Sequence, residues 1–388
     1  MGELRHAGSY QFMEPSYKAE DTFFPKDHVK TFWEDELLQF AVRSSIKKLV
    51  QKKQKENKRL RILEFGSKLG EGYDVLTKIK KDHACLQLQV EYILSEDSIE
   101  LFLGLDTDHQ RIEKANELTR HKKHARFIRT DYSEGMGLFK EVEAPFDIYF
   151  SREGAISELT IYELRDLMKD MIEHAASDSL LILDFKGKYA ILHSFLLDHS
   201  EFTFWTGTEI QQFFKSLEEE TGVQLEILRL MDRSILIASS QENRQYGHLF
   251  KHIRQAVNSL FEFNIRTDLQ KLILKPEMFP NTSQAKIDHF FQELISWWNL
   301  IIQYAIKRFE QPLPPKELRE WDNFPQAIQF GLLTLDRLIK DNEWIAYGDV
   351  RANLLEPHIG YMLRSLEFEL QQGLGCGQNL SVIVQLKK

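Results

Sequence analysis

Between Arg61 and Ser239 the chain alternates short, β-rich apolar runs with longer amphipathic stretches, and this alternation restricts the fold more than any other feature of the sequence. RILEF, LFLGLD, ARFIRTD, FDIYFS and SLLILDF are separated by enough sequence of helical period for crossover connections. That spacing predicts five parallel strands in a sheet covered by helices on both faces. VQLEILRL and RSILIAS are separated by Met231 and Asp232 alone, too few residues for a crossover, and so predict an antiparallel hairpin at one edge. The expected class is α/β, with a seven-stranded, mostly parallel sheet ending in an antiparallel hairpin. The connection after Gly72 is longer than one crossover helix requires, so CLQLQVEYILSEDSIE is expected to hold an insertion.

Past Ser240 the strand signal fades. Helical periodicity is strong in YGHLFKHIRQAVNSLFEF, SQAKIDHFFQELISWWNLIIQYAIKRFE, QAIQFGLLTLDRLIKD and PHIGYMLRSLEFELQQG, and only NLSVIVQLKK reads as a strand, one that would form an exposed edge unless covered. Three parts are therefore expected: residues 1–58 as an N-terminal loop and amphipathic helix bearing Phe32, Trp33, Leu37, Phe40 and Ala41; residues 59–240 as the ligand-binding α/β domain; and residues 241–388 as a mainly helical C-terminal domain. The net charge is −9, from 50 Lys+Arg and 59 Asp+Glu. It falls wholly on residues 1–240, because residues 241–388 carry 17 of each kind. An acidic chain is a poor coat for nucleic acid, and the basic stretches KKLVQKKQKENKR and RHKKHAR read as solvated helix ends placed ahead of strands.

The apolar window LISWWNLIIQYAI falls short of the ~20 residues a membrane span needs and reads as a buried helix, so no membrane association is expected. The first thirty residues lack the apolar core of a signal peptide. Cys85 and Cys376 are the two cysteines, and neither has a His or Cys neighbour at ligand spacing, so no disulfide framework or metal site is expected and a reducing cytoplasm fits.

The stretch RILEFGSKLGEG places Gly66, Gly70 and Gly72 in the turn after the first strand, where open α/β sheets bind ligands. A glycine-bearing turn lets the backbone approach a ligand closely, and the following helix start offers free N–H groups. Read from residues alone, the turn suits a dinucleotide, another adenosine-bearing ligand or plain tight packing. Lys68 at the middle position departs from G-x-G-x-x-G and weakens the pyrophosphate reading.

These residues resemble the first motif of the class I S-adenosylmethionine-dependent methyltransferases, an apolar strand, an acid and a G-x-G-x-G turn. Glu64, Gly66 and Gly70 match three of its positions, while Lys68 replaces the middle glycine and would bring a cation near a sulfonium. The resemblance covers about residues 60–240 and makes 59–240 a cofactor-binding methyltransferase domain. It implies S-adenosylmethionine as cofactor, with Asp106 accepting from the ribose hydroxyls, Asp131 contacting the adenine amino group, Tyr132 packing beside the ring, and Ser151 at a strand end that faces cofactor and acceptor. It also implies that the N-terminal helix serves as a lid, with Tyr10, Tyr17 and Phe23 ahead of it as candidate substrate contacts.

Structural readings of the same residues stay open. Asp106 or Asp108 could cap the helix that follows, with Asp108 the better cap; Asp131 could cap a short turn; and Tyr132 could be ordinary packing. The expected activity is direct in-line methyl transfer to a small molecule or peptide side chain. Such a transfer asks mainly for alignment and exclusion of water, and it needs a base only where the acceptor must lose a proton. Glu153 is the candidate catalytic carboxylate. The alternatives are a catalytically silent scaffold whose helical tail recruits partners, fed by Lys68, and an RNA methyltransferase using the basic stretches. A homo-oligomer is compatible with all three.

Overall fold

The computed structural model describes residues 27–388 except 82–89, 138, 140–142, 192–201, 237–246, 280–281, 320 and 343–349. Tyr10, Tyr17, Phe23 and Cys85, the first part of CLQLQVEYILSEDSIE, and the end of RSILIAS lie outside the described residues. The connection after Gly72 holds the helix Glu71–Thr77, a bridge between Lys80 and Tyr92, and a 3-10 turn at Glu96–Ser98.

Strands β1 (Leu60–Phe65), β2 (Ile99–Asp106), β3 (Ala125–Arg129), β4 (Phe146–Ser151) and β5 (Ala175–Gly187) form the expected parallel core of the sheet. A two-residue β6 (Phe204–Trp205) pairs with the end of β5. With β7 (Gln224–Arg233) and β8 (Asn379–Lys387) the strand order is β3-β2-β1-β4-β5-β8-β7. The crossovers begin where the sequence supplies caps. Asp108 accepts from Gln110 N (2.8 Å) and Arg111 N (3.2 Å) at the start of His109–Thr119. Thr160 and Thr206 form capping boxes with Glu163 and Glu209 at the starts of Ile161–Glu173 and Gly207–Thr221.

The antiparallel pair is present, but it is not the local hairpin. Residues 234–236 lie outside any strand, and β7 pairs instead with β8 from the far end of the chain, which also pairs antiparallel with β5. NLSVIVQLKK is thus an interior strand, with Val382 opposite both Leu183 and Leu230. Its near-continuous burial explains a run of apolar residues that an exposed edge strand would not need. The entry into β8 is tied to the end of β7. Asp232 is buried, and its carboxylate accepts from the backbone N–H groups of Leu374 (2.8 Å), Gly375 (2.9 Å) and Gly377 (3.0 Å). A side chain at Gly375 or Gly377 would run into the backbone of Trp205 or Arg233, which is why this loop carries glycines. A full G-x-G-x-G pattern therefore sits at Gly373, Gly375 and Gly377, where it cradles an internal carboxylate.

The helical part follows the sequence closely: Gly247–Ser259, Ala285–Glu310, Gln326–Asp341 and Glu356–Leu370. It is inserted between β7 and β8. Its core, with Phe290 and Trp298 fully packed, takes in Val29 and Trp33 from the segment ahead of the helix Glu36–Lys55. The sheet buries its two faces separately. Leu63, Leu105, Tyr149, Leu183 and Val382 meet the helices Ile161–Glu173 and Gly207–Thr221, while Ile62, Phe102, Ile148, Ile182 and Ile383 meet the helix Glu36–Lys55.

Candidate functional site

The strand order reverses between β1 and β4, so the turns leaving these strands diverge and leave a crevice at their carboxyl ends. Gly66 (φ 66°) lies there against Ala155, and a side chain at Gly66 would overlap the Ala155 methyl. Gly72 is needed for a different reason, because a side chain there would enter the space of the Glu64 carboxylate. Glu64 is 1% exposed and Asp106 3%. Asp106 holds both turns at once, accepting from Lys68 N (2.9 Å) and from Asp108 N (2.9 Å).

Four buried polar atoms at this crevice have no hydrogen-bond partner: Glu64 Oε2, Ser67 Oγ, Ser151 Oγ and Arg152 Nε. Each such atom costs about 1–3 kcal/mol unless something occupies it. They sit beside a network of charges. Arg152 reaches Asp35 (3.1 Å) and Glu71 (3.3 Å), and its Nε stands 3.8 Å from Glu64 Oε1, beyond hydrogen-bond distance. Lys30 pairs with Glu71 (2.5 Å) and Glu153 (3.5 Å), and Lys68 pairs with Glu153 across the mouth of the crevice. Burial, together with Glu71, Glu153 and Asp106 nearby, pushes the Glu64 carboxyl up to about 8 against the pull of Arg152. Burial likewise pushes Asp35 up to about 6. Glu153 goes the other way, since Lys68, Lys30 and Arg152 outweigh its burial and hold it well below the carboxylate range.

Glu153 has a left-handed backbone (φ 55°), and its N–H donates to Asp184 Oδ2 (2.9 Å). Asp184, at the end of β5, also accepts from Ser381 and pairs with Arg233, whose Nη1 donates to the Glu34 carbonyl (3.0 Å). Glu34 in turn pairs with Arg254 (3.1 Å), which ties the crevice to the helical insertion.

The structure thus gathers Glu64, Gly66, Asp106, Ser151 and Glu153 into one place. Gly70 (φ 82°) starts the helix Glu71–Thr77, packed beneath Phe127. Asp131 is exposed and accepts from Ser133 N (3.0 Å) at a short 3-10 turn. Tyr132 is buried edge-on against Phe65. Sequence reasoning missed Ser67, Lys30, Asp35, Glu71 and Asp184. An acid within the apolar run SLLILDF carries the same signal that singled out Glu64 and would have found Asp184. Nothing local to Lys30 or Asp35 marks them.

Several cations of the basic stretches are matched by acids: Lys52 with Asp178 (2.5 Å), Lys53 with Asp147 (2.5 Å), Lys122 with Asp74 and Arg126 with Glu143. Among the described residues Asp170, Glu173 and His174 bring ligand-type atoms within 4.8 Å of one another, on and just after the helix Ile161–Glu173. Among the described residues no helix is long and apolar enough to cross a membrane.

With five parallel strands in the order 3-2-1-4-5 and an antiparallel strand inserted next to the edge, the topology is settled. The fold is an open, Rossmann-like α/β sheet with one antiparallel strand between β5 and β7. No family model matches the sequence, and neither does any curated protein. Among solved structures, the chain is similar to the YcgJ protein from Bacillus subtilis, with 15% identity, a TM-score of 0.33, and coverage of 49% of this chain and 72% of that one. It is similar to an S-adenosylmethionine-dependent methyltransferase from Clostridium acetobutylicum, at 12% identity and TM-score 0.32, over 49% of this chain and 83% of the other. A plantazolicin methyltransferase in complex with a triazolic desmethylPZN analogue and SAH is similar at 16% identity and TM-score 0.33, over 50% and 64% of the two chains. The sheet also accommodates the helical insertion, whose chain returns to it through β8, one strand in from the edge.

Proposed function

We propose that the crevice between β1 and β4 binds S-adenosylmethionine and that the protein transfers its methyl group to a small molecule or a peptide side chain. The observation that carries this reading is the set of buried atoms without partners, Glu64 Oε2, Ser67 Oγ, Ser151 Oγ and Arg152 Nε, beside Asp106 at the topological switch point. The set fits the cofactor chemically. Arg152 Nε is a donor for a carboxylate, Glu64 and Ser151 offer acceptors for an ammonium, and the Asp106 carboxylate, although bonded to two backbone N–H groups, has lone pairs left for ribose hydroxyls.

When bound, the sulfonium supplies an electrophilic methyl carbon, and the work left to the protein is alignment and exclusion of water. Arg152, pinned by Asp35 and Glu71, fixes one end of the site. In this reading the segment around Lys30 and Asp35, ahead of the helix Glu36–Lys55, covers the site through its ion pairs with Glu71 and Arg152. Glu153, held ionised by two lysines, is a weak base and serves better to balance charge near the transferred group than to abstract a proton.

Calorimetric titration with S-adenosylmethionine and its demethylated product tests the reading. Saturable binding by the intact chain, weakened at least tenfold in Asp106→Ala, is expected. A silent scaffold is the second reading, and the Lys68–Glu153 pair favours it because that ion pair joins the turns on the two sides of the crevice. Absence of binding to either compound would establish the scaffold instead.

A further inference from the structure

A second group of unpartnered polar atoms lies at the same edge of the sheet, where β5 and β7 end and β8 begins. Ser234 Oγ, Gln378 Oε1 and Asn379 Oδ1 are buried without hydrogen-bond partners, in residues that are 1%, 4% and 8% exposed. The three are neighbours. Asn379 stands opposite Lys186 of β5 and Arg233 of β7, and Gln378 N donates to the Ser234 carbonyl (3.2 Å). Ser234 adopts a left-handed backbone (φ 56°), a conformation that is strained for a residue with a Cβ and that clusters at ligand sites.

The charges around this group are already matched. Arg233 donates to Ser381 (2.9 Å) and to the Glu34 carbonyl, and it pairs with Asp184, which also accepts from Ser381 and from Glu153 N. Lys186 is itself engaged and has the opposite charge of Glu158 nearby. What remains is a hydroxyl and two carboxamide oxygens, which accept hydrogen bonds and offer no charge.

We infer that Ser234, Gln378 and Asn379 form the acceptor subsite, built for a neutral molecule that carries hydroxyl or amide N–H groups. The placement fits that role. Lys186, opposite Asn379, packs against Gly154, so the group adjoins the Glu153–Gly154 turn that borders the proposed cofactor crevice. Its identity as an acceptor subsite rests on the proposed methyl transfer, whereas its capacity to bind a neutral polar molecule does not. The arrangement exists only because β8 and the helical insertion meet the sheet here, so Gln378 and Asn379 give the C-terminal part a direct share in substrate choice.

The test uses the intact chain labelled with 15N and four probes: acetamide and ethylene glycol as neutral molecules, acetate and methylammonium as charged ones. Side-chain amide resonances of Gln378 and Asn379, assigned by their loss in Gln378→Leu and Asn379→Leu, should shift saturably with at least one neutral probe and respond less to both charged ones. No saturable response to either neutral probe, or an equal or greater response to a charged one, overturns the inference. Both leucine variants should melt no lower than the wild type, because each removes a buried carboxamide oxygen that lacks an internal partner. A lower melting temperature in both would show the amides serving the fold and would also overturn it. Titration of the same samples with the demethylated cofactor keeps the two claims apart. Intact cofactor binding without a neutral-probe response removes the subsite alone, and a probe response without cofactor binding removes the methyltransferase reading and leaves the polar site standing.

Discussion

Glu64→Gln should uncouple cofactor binding from pH. The Glu64 carboxyl is pushed up to about 8 by burial, so it is mostly protonated at neutral pH, and its Oε2 has no partner. A ligand that brings an ammonium and a sulfonium close to it favours the ionised form, so binding must first remove the proton. With one unit of pKa worth about 1.4 kcal/mol, that removal costs about 1.4 kcal/mol at pH 7 and almost nothing at pH 9, so affinity should rise about tenfold across that interval. Asp35, pushed up to about 6, is already largely ionised in this window and adds little to the slope. Titration calorimetry at pH 7 in buffers of different ionisation enthalpy should show about 0.9 proton released per cofactor bound. Glutamine has nearly the same shape and no proton to lose, so the variant should show a flat affinity from pH 7 to 9 and no release. Wild-type binding that weakens with rising pH, or equal proton release in the variant, would refute the placement of Glu64 against the cofactor's cationic groups.

Truncation at Ser240 removes β8 from between β5 and β7 and should leave a chain without cooperative unfolding by circular dichroism; a truncated protein that folds and binds cofactor would contradict the sheet order. Asp232→Ala leaves the backbone N–H groups of Leu374, Gly375 and Gly377 unpartnered in a buried loop, and should cost on the order of 3 kcal/mol in denaturant unfolding. Asp106→Ala loses the acceptor shared by the turns after β1 and β2 and should weaken cofactor binding by at least tenfold in titration, whereas unchanged affinity would reduce Asp106 to a turn-holding role. Glu367, pushed up to about 7 chiefly by burial, accepts from Trp33 Nε1 (2.5 Å) and Ile235 N (2.7 Å). Because its folded value is raised, its stabilisation is full below the usual carboxylate range and is lost as pH rises through about 7, so Glu367→Gln should unfold more easily at pH 5 and show a flatter decline from pH 5 to 7.

Elements whose cause is local were legible in the sequence. Five parallel strands, the four long helices of the C-terminal part and the Asp108 cap follow from periodicity, apolar runs and one side chain meeting the amides two and three residues on. Glu64 and Asp106 were legible because an acid inside or ending an apolar strand has few reasons to be there. The partner of β7 was not. Hydrogen bonding to RSILIAS costs only a two-residue turn, and local reasoning prefers it; the chain instead takes β8 from almost 150 residues away, since VIV buried on both faces gains more as an interior strand than at an edge. The charge network is invisible for the same reason. Lys30, Asp35, Glu71, Arg152 and Glu153 come from three separate segments, and what fixes their protonation and partners is the shared burial that the tertiary fold imposes on them. Residue type and spacing set which groups can ionise, but their energies depend on how far water is kept away, and that distance is a property of the packed chain.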